Sequence, residues 1–210
     1  GIAGNAIGTG LVVDLSRHLT GVLALDPGAR TATVLPGTVL DEKIVQGYVD
    51  SAAAVVPAGP RELLVAYTPL HGVGGDVVLQ AFARAGFDAP HLVTEQESPD
   101  PDFPTVAFPN PEEPGAIDLA VAVGESSGAD LVLANDPDAD RCAVAVPLAD
   151  GSWRMLRGDE VGALLATHVL ARCRRGTLAC SIVSSTLLGR IADAAGLPHT
   201  ETLTGFKWIS

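Results

Sequence analysis

The sequence predicts an α/β fold, a mostly parallel sheet with helices on both faces. Three observations carry that reading. Short β-rich apolar runs alternate along the chain with helical stretches. The run DLVLA at Asp130–Ala134 is apolar through its interior, as a strand covered on both faces must be. Glycine and proline clusters separate the units. At 210 residues the chain has room for one full domain and part of another.

The elements follow in order. Leu11–Leu15 is a short β-rich run after a glycine-rich loop, and Val22–Leu25 and Thr31–Leu35 flank the turn DPGAR as a hairpin. Lys43–Val56 spaces Ile44, Tyr48, Ala52 and Val55 as a helix does, and Pro57 stops it. LLVAY at Leu63–Tyr67 is a strand, followed by a glycine-rich loop at His71–Gly75, a helix over Val77–Ala85 and a strand at His91–Thr94. Asp100–Pro114 is too rich in proline for regular structure and must be a long loop. A helix at Ala116–Val123 precedes DLVLA, and Cys142–Pro147 is a further strand. Beyond the DGSW turn, a helix over Asp159–Arg172, a strand at Leu178–Val183 and a helix over Thr186–Ala195 complete the reading.

A net charge of −12 repels phosphate backbones and anionic lipid, which excludes nucleic acid and membrane surfaces as expected partners. No apolar run approaches the ~20 residues of a membrane helix, and the opening GIAGNAIGTG lacks the basic start and apolar stretch of a signal peptide. Cys142, Cys173 and Cys180 show no CxxC spacing, which fits a reducing cytoplasm, and Cys173 and Cys180 read as buried filler. The missing initial methionine points to a fragment.

The chemistry concentrates in ANDPDADR. An apolar strand delivers Asp136, Asp138 and Asp140 at alternate positions into a loop, where hard oxygen ligands can converge on a small cation such as Mg²⁺. Arg141 beside them suits a phosphate oxygen. A solvated acidic turn is the competing reading. An EF-hand loop fails, because it needs glycine where Arg141 stands and glutamate where Pro147 stands. A haloacid-dehalogenase-type phosphatase also places D-x-D after a strand, but usually with threonine or valine at the position of Asp140.

Several strings together resemble one family. TPLHGVGG at Thr68–Gly75, the proline-rich PDPDFP and PNPE, NDPDADR, RGDE at Arg157–Glu160 and TGFKWI at Thr204–Ile209 are similar to parts of the phosphohexomutases, the phosphoglucomutase/phosphomannomutase family, in that family's order. The resemblance implies an α/β second domain over residues 42–149 and a truncated third domain of related topology over 150–210. It implies a phosphoserine enzyme that interconverts hexose 1-phosphate and 6-phosphate substrates with Mg²⁺. Asp136, Asp138 and Asp140 would be the metal ligands, Arg141 a phosphate or phosphoserine contact and Lys207 a sugar-phosphate contact.

The family's Ser-His-Asn loop is not among these residues, since none of the five histidines sits between serine and asparagine, so this chain is expected to be inactive alone. GESSG at Gly124–Gly128 spells the family's sugar-recognition motif, but its place before DLVLA makes it the end of a helix. Ser184 and Ser185, at the end of a strand, stand where a phosphate could approach. His71 beside glycines reads equally as a phosphate contact or a structural loop residue. Residues 1–41 do not follow the mutase pattern. GNAIGTG and LDPGARTATVLPG resemble the flavin-binding domain of FAD-linked oxidases of the glycolate/D-lactate dehydrogenase type, which would make Asn5 a cofactor contact. A glycine-rich loop and hairpin with no ligand is the alternative. A flavin-dependent oxidoreductase fragment and a non-catalytic α/β fragment are therefore the rival readings of function.

Overall fold

The computed structural model describes residues 22–26, 31–34 and 42–209. Its contacts divide the chain into two compact units, with the boundary after Cys142. The expected hairpin is present, β1 (Val22–Asp26) running antiparallel to β2 (Thr31–Val34). The Leu11–Leu15 run lies outside the described residues.

In the first unit β3 (Val65–Thr68) is buried at every position and lies between β4 (His91–Leu92) and β5 (Leu131–Asn135), parallel to both. The β3–β5 register runs from Val65 opposite Leu131 to Thr68 opposite Ala134. Helix α3 (Asp118–Ser127) packs on these strands. Tyr67, Leu70, Val93, Ala120, Val132 and Ala134 form the core, each no more than 1% exposed. Each larger apolar side chain so buried stabilises the fold by about 1.5–3 kcal/mol.

Helix α1 (Glu42–Ala54) packs on α2 (Gly75–Ala85). Its helical spacing is right but its expected apolar face is not. Ile44, Tyr48 and Val55 are exposed, while Val49 is completely buried. Polar bonds fix this orientation: Gln46 Nε2 donates to Gln80 Oε1 at 2.7 Å, and Asp50 pairs with Arg84. The extended run after Leu92 also ends early. Thr94–Gln96 form a 3-10 turn, with Gln96 N donating to Val93 O at 3.0 Å. Arg61 ties the entry to β3, donating to the carbonyls of Pro57, Gly59 and Ala85 and stacking 4.8 Å from the Phe87 ring centre.

In the second unit β6 (Cys142–Pro147), whose first residue belongs to the first unit, turns back antiparallel into β7 (Trp153–Met155). Asp150 organises the turn by accepting from Ser152 N and Oγ at 3.0 and 2.6 Å. Helix α4 (Gly158–Arg172) packs on α5 (Leu187–Ala195), and β8 (Leu178–Ser181) runs parallel to β9 (His199–Thr202). A short helix α6 (Phe206–Ile209) follows. β7, β9 and α6 were not expected from the sequence. No helix among the described residues is long and apolar enough to cross a membrane.

Candidate metal centre

The side chains of β5 alternate between half-buried and buried, so the strand hands Asp136 to the loop with its carboxylate packed inward, 1% exposed. The loop then folds back on itself. Ala139 N donates to Asp136 O at 2.9 Å, and Ala139 takes a left-handed φ of 57°. That turn gathers the three aspartates. Asp136, Asp138 and Asp140 each offer a carboxylate oxygen, all lying within 4.8 Å of one another.

Arg141 does not stand free beside them. Its backbone N donates to Asp136 Oδ1 at 3.0 Å, and Nε and an Nη donate to Oδ2, each at 2.8 Å. The Arg141 side chain is nevertheless 60% exposed, so part of the guanidinium remains reachable by a phosphate oxygen. Burial disfavours the charged form of Asp136. Even so, the Arg141 backbone N–H, a hydrogen bond with Asp138 and the guanidinium together hold its carboxyl below the usual range. Asp138 moves the other way, raised by desolvation and by the neighbouring carboxylates of Asp136 and Asp140. The all-oxygen donor set suits a small hard dication.

The loop is braced from β3. Tyr67 Oη donates to Asn135 Oδ1 at 2.9 Å, and Asn135 Nδ2 donates to Arg141 O at 2.7 Å. Val73 N donates to Pro137 O at 2.9 Å, so the loop after β3 lies directly on the aspartate loop. The glycines permit that approach. A Cβ on Gly72 would stand 2.4 Å from Pro137 Cα, and one on Gly74 would stand 2.7 Å from Ala139 Cβ. His71 is 4% exposed and bonds Thr105 Oγ1 through Nε2 at 2.9 Å. Tyr67, Asn135, Gly72 and Gly74 were missed as parts of the site. The glycine spacing of HGVGG was the signal in the sequence for Gly72 and Gly74.

Lys207 lies in α6 of the second unit, with its side chain outside the described residues, and Asn5 also lies outside them. GESSG forms the last turn of α3, closed by Gly128 at φ 68°, and belongs to a helix end as expected. Ser184 and Ser185 line a cleft of about 270 Å³ with Asp159 and Leu188. Cys173 is exposed and Cys180 only partly covered, so neither is buried filler.

Two family patterns match the chain: phosphoglucomutase/phosphomannomutase α/β/α domain II over residues 46–149 and α/β/α domain III over residues 157–210. The chain belongs to the phosphoglucomutase/phosphomannomutase family. A probable phosphomannomutase of Haemophilus influenzae is 46% identical over 173 residues, covering 81% of this chain and 36% of that protein. A human phosphopentomutase is 43% identical, over 68% of this chain and 25% of that protein. The chain therefore spans about a third or less of the length of these relatives. The crystal structure of Aspergillus fumigatus N-acetylphosphoglucosamine mutase in complex with GlcNAc-6P and magnesium shares the fold, with a TM-score of 0.57 at 20% identity over 82% of this chain and 35% of that one. The phosphohexomutase match begins at residue 46, after the β1–β2 hairpin.

Proposed function

We propose that this segment is the metal- and phosphate-handling part of a sugar-phosphate mutase that interconverts hexose 1-phosphate and 6-phosphate through a phosphoserine. The observation that carries it is the convergence of Asp136, Asp138 and Asp140 within 4.8 Å on a loop locked to its neighbour by Val73 and Gly72. A bound Mg²⁺ would offset charge on the transferring phosphoryl group. The three aspartates hold the ion. Arg141, itself positioned by Asp136, presents a planar fork to a phosphate, and Lys207 contacts the sugar phosphate. The names of the relatives, a phosphomannomutase and a phosphopentomutase among them, leave the sugar to be chosen by substrate assay of the longer protein. The net charge of −12 disfavours nucleic acid and anionic membrane surfaces as partners.

Titration with Mn²⁺, followed by paramagnetic broadening of backbone amides, tests the metal site. Broadening should centre on residues 135–141, with weak affinity because waters complete the shell. It should vanish in Asp138→Ala. Equal broadening in wild type and variant would remove the aspartates as ligands. The 210 residues on their own, given glucose 1-phosphate, glucose 1,6-bisphosphate and Mg²⁺, should form no glucose 6-phosphate at an enzymatic rate, because they hold no Ser-His-Asn loop to carry the phosphoryl group. Turnover abolished by Asp138→Ala would contradict that expectation.

A further inference from the structure

Strands β8 and β9 carry a second set of ligand-type side chains, of different chemistry from the aspartate loop. In their parallel register Cys180 stands opposite Glu201, and Leu178 stands opposite His199. Residues two apart on a strand share a face, so Cys180, His199 and Glu201 project from one side of the pair. One thiol sulfur, one ring nitrogen and one carboxylate oxygen from these residues all lie within 4.8 Å of one another. Cys180 Sγ is 3.4 Å from His199 Nε2.

We propose that Cys180, His199 and Glu201 form a binding site for a zinc-type divalent transition-metal ion. With Zn–S near 2.3 Å and Zn–N near 2.0–2.1 Å, the S···N edge of a tetrahedral site is about 3.6 Å. The observed separation is thus close to the ligated one before any ion enters. Mixed sulfur, nitrogen and oxygen donors favour zinc or cobalt over the hard magnesium suited to the aspartates. The ring also has a fixed seat. Gly189 of α5 lies over it, and a Cβ there would come within 3.1 Å of Nδ1, so helix backbone rather than a side chain backs the ligand. Glu201 is exposed, which leaves water to fill the fourth position, and Cys180 also lines the 270 Å³ cleft, giving the ion a way in. Binding transfers the thiol proton to solvent and leaves a thiolate on the metal, so affinity rises with pH. The ion would clip β8 to β9 across the intervening helix.

The test is a Co²⁺ titration of the chain carrying Cys142→Ser and Cys173→Ser, which removes the two exposed thiols. A thiolate-to-cobalt charge-transfer band should grow to one equivalent and be displaced by Zn²⁺. The aspartate loop, having no sulfur, cannot produce that band. Loss of even an outer-shell partner weakens metal sites about 10–100-fold, so His199→Gln and Glu201→Gln should each weaken Co²⁺ binding at least about tenfold. Glu201 is exposed, so its variant tests the site without threatening the fold. A spectrum without the band, or an affinity unchanged in either variant, overturns the proposal and leaves a simple Cys–His hydrogen bond.

Discussion

Replacing Gly72 with valine should destabilise the first unit by about 3 kcal/mol or more. Overpacking a core usually costs about 1–3 kcal/mol, because side chains can shift aside. Here the obstacle is backbone. The new Cβ would meet Pro137 Cα, O and C at 2.4, 2.5 and 2.7 Å. The two loops cannot part without breaking the Val73–Pro137 hydrogen bond, and Gly72 N is itself held by Pro69 O at 2.8 Å. Gly75→Ala is the matched control, since its nearest neighbours would be at ordinary contact distances of 3.6–3.7 Å. Urea unfolding followed by circular dichroism should separate the two variants clearly. Similar midpoints for Gly72→Val and Gly75→Ala would mean that the loops yield, and that the glycine is not what brings them together. Pro137 stands between Asp136 and Asp138, so any Gly72→Val protein that folds should also bind Mn²⁺ more weakly.

That contact shows what the sequence could and could not reveal. β3, β5, α2 and α4 were legible because long apolar or periodic stretches leave one structural solution. The three aspartates were legible because they stand at alternate positions directly after an apolar strand. The face of α1 was not, since either stripe could be apolar enough. The choice between them rests on Gln46 and Asp50 finding Gln80 and Arg84, 34 residues on in each case. β9, with the sequence HTET, has almost no apolar signal, and it is a strand because LACS lies beside it. Likewise Arg141 read as a phosphate-binding group standing open, whereas its backbone N, Nε and one Nη are bonded to Asp136. Pairings between distant polar groups leave no periodicity, so they escape a reading built on patterns.

The buried network around Gln96 should be the other large contributor to stability, and Gln96→Met should cost about 2–4 kcal/mol. Gln96 is fully buried. Its Oε1 accepts from Thr68 Oγ1 at 2.6 Å, and its Nε2 donates to Thr105 Oγ1 at 2.8 Å. Methionine keeps the length and bulk of glutamine but loses both bonds. Thr105 is exposed and retains His71, so water can replace what it loses. Thr68 is fully buried and would be left without the acceptor for its hydroxyl proton, a desolvation penalty of about 1–3 kcal/mol added to the lost hydrogen bonds. There is a second cost. Leu70 and His71 hold left-handed φ values of 51° and 58°, strain of about 1–3 kcal/mol each that the surroundings must offset. Leu70 N donates to Thr68 Oγ1, the hydroxyl that Gln96 Oε1 orients, and His71 N donates to the Gln96 backbone O, which methionine keeps, so losing the side-chain bonds loosens Leu70 directly and His71 through its neighbour. Asp100 N, bonded to His71 O at 3.0 Å, extends it into the proline-rich loop. Chemical denaturation should show the loss, and hydrogen exchange at the Leu70 and His71 amides should accelerate more than at Val65 or Ala66 in mid-strand. A Gln96→Met protein within about 0.5 kcal/mol of wild type, the range of a neutral surface change, would show that the strained loop is held by packing alone.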